Sequence, residues 1–298
     1  MPHPPIIGRF APTPSGPLHF GSLVTALASY CHARSQQGSW LIRIEDVDTP
    51  RVVDGSVDQI LGDLEFFGFE WDGKVLYQSA QFDRYQAGLA QLLAQGHAYA
   101  CECSRRSLRE AKAKTGPLGL IYLGTCRDKQ LHELDHSIRI NTESIGKLGY
   151  RDQLYGEVEI NIPEKVGDFV IRRADGMFAY HLAVVLDDEL QHINQVVRGA
   201  DLLEATCLHL YLYRLFGFGV PEYLHIPLVR NDQGDKLSKQ TGATGLDRNE
   251  APALLISALG VLGQPVEEGM SQAQPTEIIR QAVRSWNYQH IPLAGDIY

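Results

Sequence analysis

Residues 6 to 22 read Ile6-Ile7-Gly8-Arg9-Phe10-Ala11-Pro12-Thr13-Pro14-Ser15-Gly16-Pro17-Leu18-His19-Phe20-Gly21-Ser22. An apolar run suited to a strand passes into a turn built from Pro12, Pro14, Gly16 and Pro17. The turn ends where a helical pattern begins, with Leu23, Ala26, Leu27, Tyr30 and Cys31 spaced on one face. The first turn of a helix carries backbone N–H groups without partners and the positive end of the helix dipole, so a strand, a tight turn and a helix start in that order make an anion site. His19 adds a donor for a phosphoryl oxygen, and Gly21, with no Cβ, lets a flat base approach the backbone.

Working outward, Trp40 to Ile44 reads as a second buried strand that closes a βαβ unit. Its end carries Arg43, Glu45, Asp46 and Asp48, and carboxylates just past the end of a parallel strand sit where open α/β sheets take their ligands. Val57, Ile60, Leu61 and Leu64 mark a second helix, and Phe82, Tyr85, Leu89, Leu92 and Leu93 a third. Further on, Val196 to Asp201 is a strand ending in charge at Arg198, Leu202 to Phe216 an apolar helix, and His225 to Val229 another strand. Lys236-Leu237-Ser238-Lys239-Gln240 is a loop whose lysines suit a polyphosphate. The remainder is helix-forming around Ala251 to Leu262 and Ile278 to Val283.

Between residues 101 and 130 the character changes. Seven Lys or Arg (Arg105, Arg106, Arg109, Lys112, Lys114, Arg127, Lys129) face three acids, although the whole chain of 298 residues stands at -9. A basic inserted module is the simplest reading. It holds Cys101, Cys103 and Cys126 of the chain's five cysteines, an odd number that speaks against a disulfide framework. Structural zinc is tetrahedral, and the spacing leaves open both ordinary buried thiols and a zinc site completed by Tyr122, His97, His132 or water. From Ser137 to Tyr180 alternating residues such as Ile138 and Ile140, or Val158, Ile160 and Ile162, read as sheet, with Asp175-Gly176 as a hairpin turn.

Composition sets the outer limits. Hydrophobic residues at 44% and charged residues at 21% are those of a globular protein, and the negative net charge excludes nucleic-acid binding over the whole surface. No apolar run reaches the roughly 18 residues of a membrane span, and the first five residues lack the pattern of a signal peptide, so a cytosolic location without membrane contact is expected.

The set Arg9 to Ser22, Arg43-Ile44-Glu45-Asp46, Val197 to Asp201 and Lys236-Leu237-Ser238-Lys239 closely resembles the glutamyl-tRNA synthetases of the Rossmann-type class. The first stretch is similar to that family's HIGH signature, the last to its KMSKS signature, with Phe20, Leu237 and Gln240 departing from it in packing rather than charge. Fewer than sixty residues follow Lys239, and the chain is therefore identified by resemblance with the truncated paralogues, the glutamyl-Q tRNA(Asp) synthetases. The resemblance implies an α/β fold: a Rossmann-type parallel sheet (residues 1–95 and 181–240) interrupted by a zinc-binding α+β insertion (96–180), then a short helical region (241–298) and no anticodon-binding domain. It implies L-glutamate bound by Arg9, Phe10, Ala11, Pro12, Thr13, Glu45, Tyr180 and Arg198. It further implies ATP with Mg²⁺ held by His19, Gly21 and Lys239, with His19, Lys236 and Lys239 catalytic, and structural Zn²⁺ on Cys101, Cys103, Tyr122 and Cys126. The partner it implies is the tRNA(Asp) anticodon stem-loop carrying queuosine, and a monomer is expected. The competing readings are a glutamyl-tRNA(Glu) synthetase and a nucleotidyltransferase acting on a small substrate.

Overall fold

The computed structural model describes residues 4–229 and 245–293. Strand β1 (Ile7–Phe10), helix α1 (Phe20–Arg34) and strand β2 (Ser39–Ile44) form the expected βαβ unit, β1 and β2 being parallel with Ile7 opposite Ser39 and Phe10 opposite Ile42. Helix α2 (Ser56–Phe66), the short strand β3 (Leu76–Tyr77) and helix α3 (Phe82–Ala94) follow. The chain then leaves the sheet through β4 (Ala98–Cys101), α4 (Arg105–Glu110), the two-residue strands β5 (Thr115–Gly116) and β6 (Gly119–Leu120), and β7 (Ser137–Ile140). Strands β8 (Lys147–Asp152) and β9 (Gly156–Asn161), a single helical turn α5 (Ile162–Lys165) and β10 (Val170–Arg172) lead to helix α6 (Tyr180–Leu190). Strand β11 (Gln195–Gly199), helix α7 (Leu203–Phe216), strand β12 (Glu222–Ile226) and helices α8 (Ala251–Val261) and α9 (Pro275–Ser285) complete the described chain.

Seven strands make one sheet in the order β3-β2-β1-β11-β12-β8-β9, parallel from β3 through β8 and closed by antiparallel β9. Strands β10, β7 and β4 form a second, antiparallel sheet. The β-rich run from Ser137 to Tyr180 is thus divided between two sheets. The β8–β9 hairpin extends the main sheet beside β12, where Asp152 lies opposite Tyr223. Alternation of apolar and polar residues reports a strand's two faces and not its neighbours, which is why the sequence could not separate these pairs.

Helix α1 departs from the one-faced stripe read in its sequence. It is buried from Leu23 to Ala33 except at Thr25, because the sheet covers one side and α8 and α9 the other. Small residues, among them Ala26, Ala28, Ser29 and Ala33, permit that double burial. The core on this side runs through Trp40, whose ring stacks on Phe10 and Phe69 and meets Tyr30 edge-on, while its indole N–H donates to the Ser29 hydroxyl at 3.0 Å. A second core joins α3, α6 and α7 to the three-stranded sheet through Leu89, Ile138, Leu182 and Leu208.

Helix α6 has no counterpart in the sequence reading, which took Tyr180 as the end of a sheet-like region. Strand β12 begins three residues before the expected His225. The helices expected near 251–262 and 278–283 are present as α8 and α9. Among the described residues no helix is long and apolar enough to cross a membrane.

Candidate active site

Strand order reverses between β1 and β11, and the carboxyl ends of β2, β1, β11 and β12 share one edge of the sheet. That is the switch point at which a parallel sheet opens a crevice. The turn after β1 is pinned there: the Ser56 hydroxyl and the Val53 N–H both donate to the Pro14 carbonyl at 2.7 and 2.9 Å, and the Glu45 N–H donates to the Pro12 carbonyl at 3.0 Å. Gly16 holds φ of +123°, a backbone conformation that residues with a Cβ rarely adopt. His19 is the N-cap of α1, its Nδ1 accepting the Ser22 N–H at 3.2 Å, so the ring proton lies on Nε2. The imidazole thus satisfies one helix-start donor that the sequence reading had left for an anion.

Two adjoining cavities open on this edge. One, of about 700 Å³, is lined by Pro12, His19 and Gly21 of the turn and by Pro227, Leu228 and Val229 after β12. The other, of about 550 Å³, is lined by Arg9, Glu45, Tyr180 and Arg198. Phe10, Ala11, Thr13 and Arg198 line both, so the cavities meet at the tip of β1. Every sequence-derived site residue of the sheet edge therefore borders one continuous crevice. Lys236 and Lys239 lie outside the described residues.

The second cavity is built over a buried charge network. Asp188 of α6 accepts on Oδ1 from Arg43 Nη1 at 2.7 Å and from Arg9 Nε at 3.4 Å, while the Tyr213 hydroxyl donates to its Oδ2 at 3.2 Å. Burial works to raise the Asp188 carboxyl, yet the Arg43 and Arg9 guanidinium groups hold it below the usual carboxylate range. Its neighbour Asp187 accepts from Gln78 and from the Tyr85 hydroxyl, both at 2.8 Å, and burial raises its carboxyl. Glu45 lies 3.6 Å from Arg43 Nη2. Burial pushes its carboxyl up to about 7, with Arg43 and Arg9 opposing.

Arg198 is treated differently. Its Nε donates to His225 Nε2 at 3.1 Å, its Nη1 to the Tyr180 hydroxyl at 3.3 Å, and its Nη2 to the Thr206 hydroxyl at 2.5 Å and to His209 Nδ1 at 3.3 Å. Among the described residues it makes no ion pair, although it is buried. Burial, the first cause in each case, lowers both His225 and His181 to about 4 and His209 well below its ordinary value, so all three rings are neutral at pH 7. Sequence reasoning gave no site role to Arg43, Asp188, His209 or His225. His225 had one usable signal, since a polar residue inside an apolar strand end that pairs with β11 lies directly opposite Arg198.

A second cluster lies in the inserted module. The Sγ atoms of Cys101, Cys103 and Cys126 are all within 4.8 Å of one another, with Cys103 and Cys126 at 3.6 Å. Tetrahedral zinc with sulfur at about 2.3 Å sets sulfurs about 3.8 Å apart, so these thiols fit the ion. The Tyr122 hydroxyl oxygen sits 3.7 Å from Cys103 Sγ and accepts from the Cys126 N–H at 2.9 Å and the Thr125 hydroxyl at 3.0 Å. His97 and His132 are not part of the cluster. Of the basic residues nearby, Arg127 is bidentate on buried Asp168, Arg106 pairs with Glu110 and Lys129 with Glu102. Arg105, Arg109, Lys112 and Lys114 make no ion pair among the described residues, and all four are exposed.

A nucleotide-sized crevice at the switch point of a parallel sheet, entered by a His-capped helix and flanked by buried guanidinium groups, defines the catalytic domain of a class I aminoacyl-tRNA synthetase. Residues 5–293 match the family model described as tRNA synthetases class I (E and Q), catalytic domain. A glutamyl-Q tRNA(Asp) synthetase of Dechloromonas aromatica is 46% identical over 97% of this chain and 96% of its own length, and one of Shewanella oneidensis is 47% identical over 99% and 95%. The chain belongs to the glutamyl-Q tRNA(Asp) synthetase family. Among solved structures, the glutamate-tRNA synthetase of Elizabethkingia anophelis is similar at a TM-score of 0.81 and 25% identity, covering 99% of this chain and 68% of that one. A glutamate tRNA ligase of Elizabethkingia meningosepticum, in complex with its amino acid, gives the same TM-score and identity over 98% of this chain and 66% of that one.

The Glu45 carboxyl supplies a test of this electrostatic picture. Its folded value of about 7 stands above the ordinary 4.5, so the folded state holds the extra proton and the stability it contributes is complete below pH 4.5 and lost as pH rises through 7. Glu45→Gln, which mimics the neutral acid, is expected to match the parent at pH 4.5 and to exceed it at pH 8 by on the order of 3 kcal/mol in urea unfolding. A variant less stable than the parent at pH 8 contradicts the assignment.

Proposed function

We propose that this chain activates L-glutamate with ATP in the absence of tRNA and transfers it to the cyclopentenediol of queuosine at the wobble position of tRNA(Asp). One observation carries the reading: Arg198 is a buried cation that makes no ion pair among the described residues, in a cavity that also holds Arg9, Glu45, Tyr180 and Asp201 and opens into a nucleotide-sized neighbour. A buried charge without a partner is costly, and a ligand carboxylate would relieve it. The names of the relatives support the same substrate and acceptor.

In this reading Arg9 and Arg198 take the two carboxylates of glutamate, Tyr180 donates its hydroxyl, and Glu45 takes the ammonium group, which draws its raised carboxyl back to the ionised form. The Phe10–Thr13 segment holds the amino acid against the nucleotide cavity. A glutamate carboxylate is already a nucleophile, so its oxygen bonds to the α-phosphorus of ATP as the bond to the β-phosphate oxygen breaks, with no general base. His19, Gly21 and the start of α1 hold the phosphates. Lys236 and Lys239, in the segment between Val229, which lines the nucleotide cavity, and Leu246, whose N–H donates to the Leu18 carbonyl, stabilise the departing pyrophosphate. Mg²⁺ bound with ATP supplies further charge neutralisation. A queuosine hydroxyl then attacks the carbonyl carbon of the adenylate and AMP leaves.

Cys101, Cys103, Cys126 and Tyr122 would hold a structural Zn²⁺, which supplies cross-linking of the module rather than chemistry. The exposed bases of the module, Arg105, Arg109, Lys112 and Lys114, form the surface for the anticodon stem-loop.

Three measurements test these assignments. Exchange of labelled pyrophosphate into ATP is expected with glutamate and no RNA, and Lys239→Ala is expected to lower it about a hundredfold or more; absence of exchange in the parent refutes tRNA-independent activation. Metal analysis is expected to find zinc, with Cys126→Ser or a strong chelator lowering the melting temperature by several degrees, on the order expected for loss of about 1–2 kcal/mol. Metal-free protein indifferent to chelator ends the zinc proposal. Replacing Arg105, Arg109, Lys112 and Lys114 by Gln should flatten the dependence of log affinity on log salt for a queuosine-bearing stem-loop, by about 0.7 to 0.9 for each phosphate no longer neutralised. A slope that does not change places the RNA elsewhere.

A further inference from the structure

Arg198 is seated on neutral acceptors alone, and the proton positions in that seat follow from one carboxylate. Asp152, at the end of β8, accepts on Oδ1 from the N–H groups of Leu154 and Tyr155, both at 3.0 Å, and on Oδ2 from the His225 N–H at 3.0 Å and from His225 Nδ1 at 2.7 Å. An ionised carboxylate offers only lone pairs, so His225 carries its proton on Nδ1 and turns the lone pair of Nε2 toward the Arg198 Nε–H. A proton on Nε2 would set two donors head to head. The same logic runs through His209, whose Nδ1 accepts from Arg198 Nη2 while Nε2 faces His181 Nδ1 at 3.1 Å. Four of the five guanidinium N–H groups thereby meet neutral acceptors, and the fifth is on Nη1, beside Tyr180 on the cavity wall.

The contrast within the same cavity is informative. Arg9 and Arg43 share the carboxylate of Asp188, so their charge is partly cancelled before any ligand arrives. We propose that Asp152 and His225, with His209, are positioning and specificity residues: they orient the Arg198 guanidinium through neutral acceptors and keep every carboxylate out of direct contact with it, so that the cavity selects a side-chain carboxylate over the isosteric amide. This rests on the reading of the cavity as an amino-acid site. A carboxylate seat in place of the imidazoles would hold the guanidinium equally well but would leave an amide and an acid nearly equal as ligands.

Asp152→Asn separates the seat from simple scaffolding. With the side-chain oxygen kept by Leu154 and Tyr155, the new amide loses the bond from the His225 N–H and, presenting a donor to His225 Nδ1, moves the imidazole proton to Nε2. The glutamate KM in pyrophosphate exchange is expected to rise about 10- to 100-fold, the loss of a hydrogen bond to a charged group, with the ATP KM within about twofold and the preference for glutamate over glutamine reduced. In a His225→Gln background, whose side-chain carbonyl accepts without a tautomer, Asp152→Asn should add less than about threefold to the glutamate KM. Equal effects in both backgrounds, or an unchanged glutamate KM, overturn the proposal. Nitrogen NMR of histidine-labelled protein reads the proton directly. A neutral His225 with its proton on Nδ1 in the parent and on Nε2 in Asp152→Asn is the expected result, and one tautomer in both, or a charged ring in the parent at pH 7, refutes the seat. A parent without exchange sinks the amino-acid reading while the NMR arm still decides the tautomer.

Discussion

A guanidinium group taken out of water needs acceptors or a counter-charge, and three of them, on Arg9, Arg43 and Arg198, lie buried along one edge of the parallel sheet. The surrounding structure is arranged to hold them. Helix α6 brings Asp188 under Arg9 and Arg43, and Tyr213 of α7 completes the carboxylate's bonding. Removing one partner from a buried pair of this kind leaves the other uncompensated, at a cost of about 3–5 kcal/mol. The positions of α6 and α7 and the chemistry of the crevice are therefore linked. The acids that neutralise the floor of the cavity are also the residues that dock the helices.

Where Asp188 cancels charge, the histidines beside Arg198 do not. Both solutions satisfy hydrogen bonding, but they leave different fields in the cavity. The partly compensated arginines contribute donors and shape, while Arg198, seated on neutral acceptors, presents its charge on a wall shared by both cavities. Glu45 stands between these regimes, its carboxyl raised by burial and restrained by Arg43 and Arg9. A zwitterionic ligand with an additional carboxylate complements this arrangement without any residue acting as a base.

The inserted module is held together by a separate polar knot. Asp168 accepts from Arg127, from the Tyr99 hydroxyl and from both the N–H and hydroxyl of Thr142, so one buried carboxylate joins the Cys126 loop, β4 and the segment after β7. Arg139 adds a second tie, lying over the Tyr122 ring at 4.2 Å and donating to Cys101 Sγ and to the Asp168 carbonyl. The thiol cluster is consequently framed from outside by protein contacts. Its exposed basic helix α4 projects from a base that is already fixed.

Local pattern was enough for much of this protein. The Pro- and Gly-rich turn between β1 and α1, the carboxylate after β2 and the arginine at the tip of β11 are legible because strand ends, helix starts and charged tips are written in consecutive residues. Helix α6 and the β8–β9 hairpin were not, since Asp187 and Asp188 look like a polar helix end until α3 and the sheet bury them, and strand periodicity does not name a partner strand. Sequence alone determined that the tips of β1, β2 and β11 and the start of α1 border the crevice, and which chemistry their residues offer. Tertiary structure alone decided how their charges are settled, namely that Asp188 neutralises Arg9 and Arg43 while His225, held in one tautomer by a carboxylate 73 positions away, leaves Arg198 positive. Hydrogen-bond partners and burial arise between distant segments, and no run of neighbouring residues encodes them.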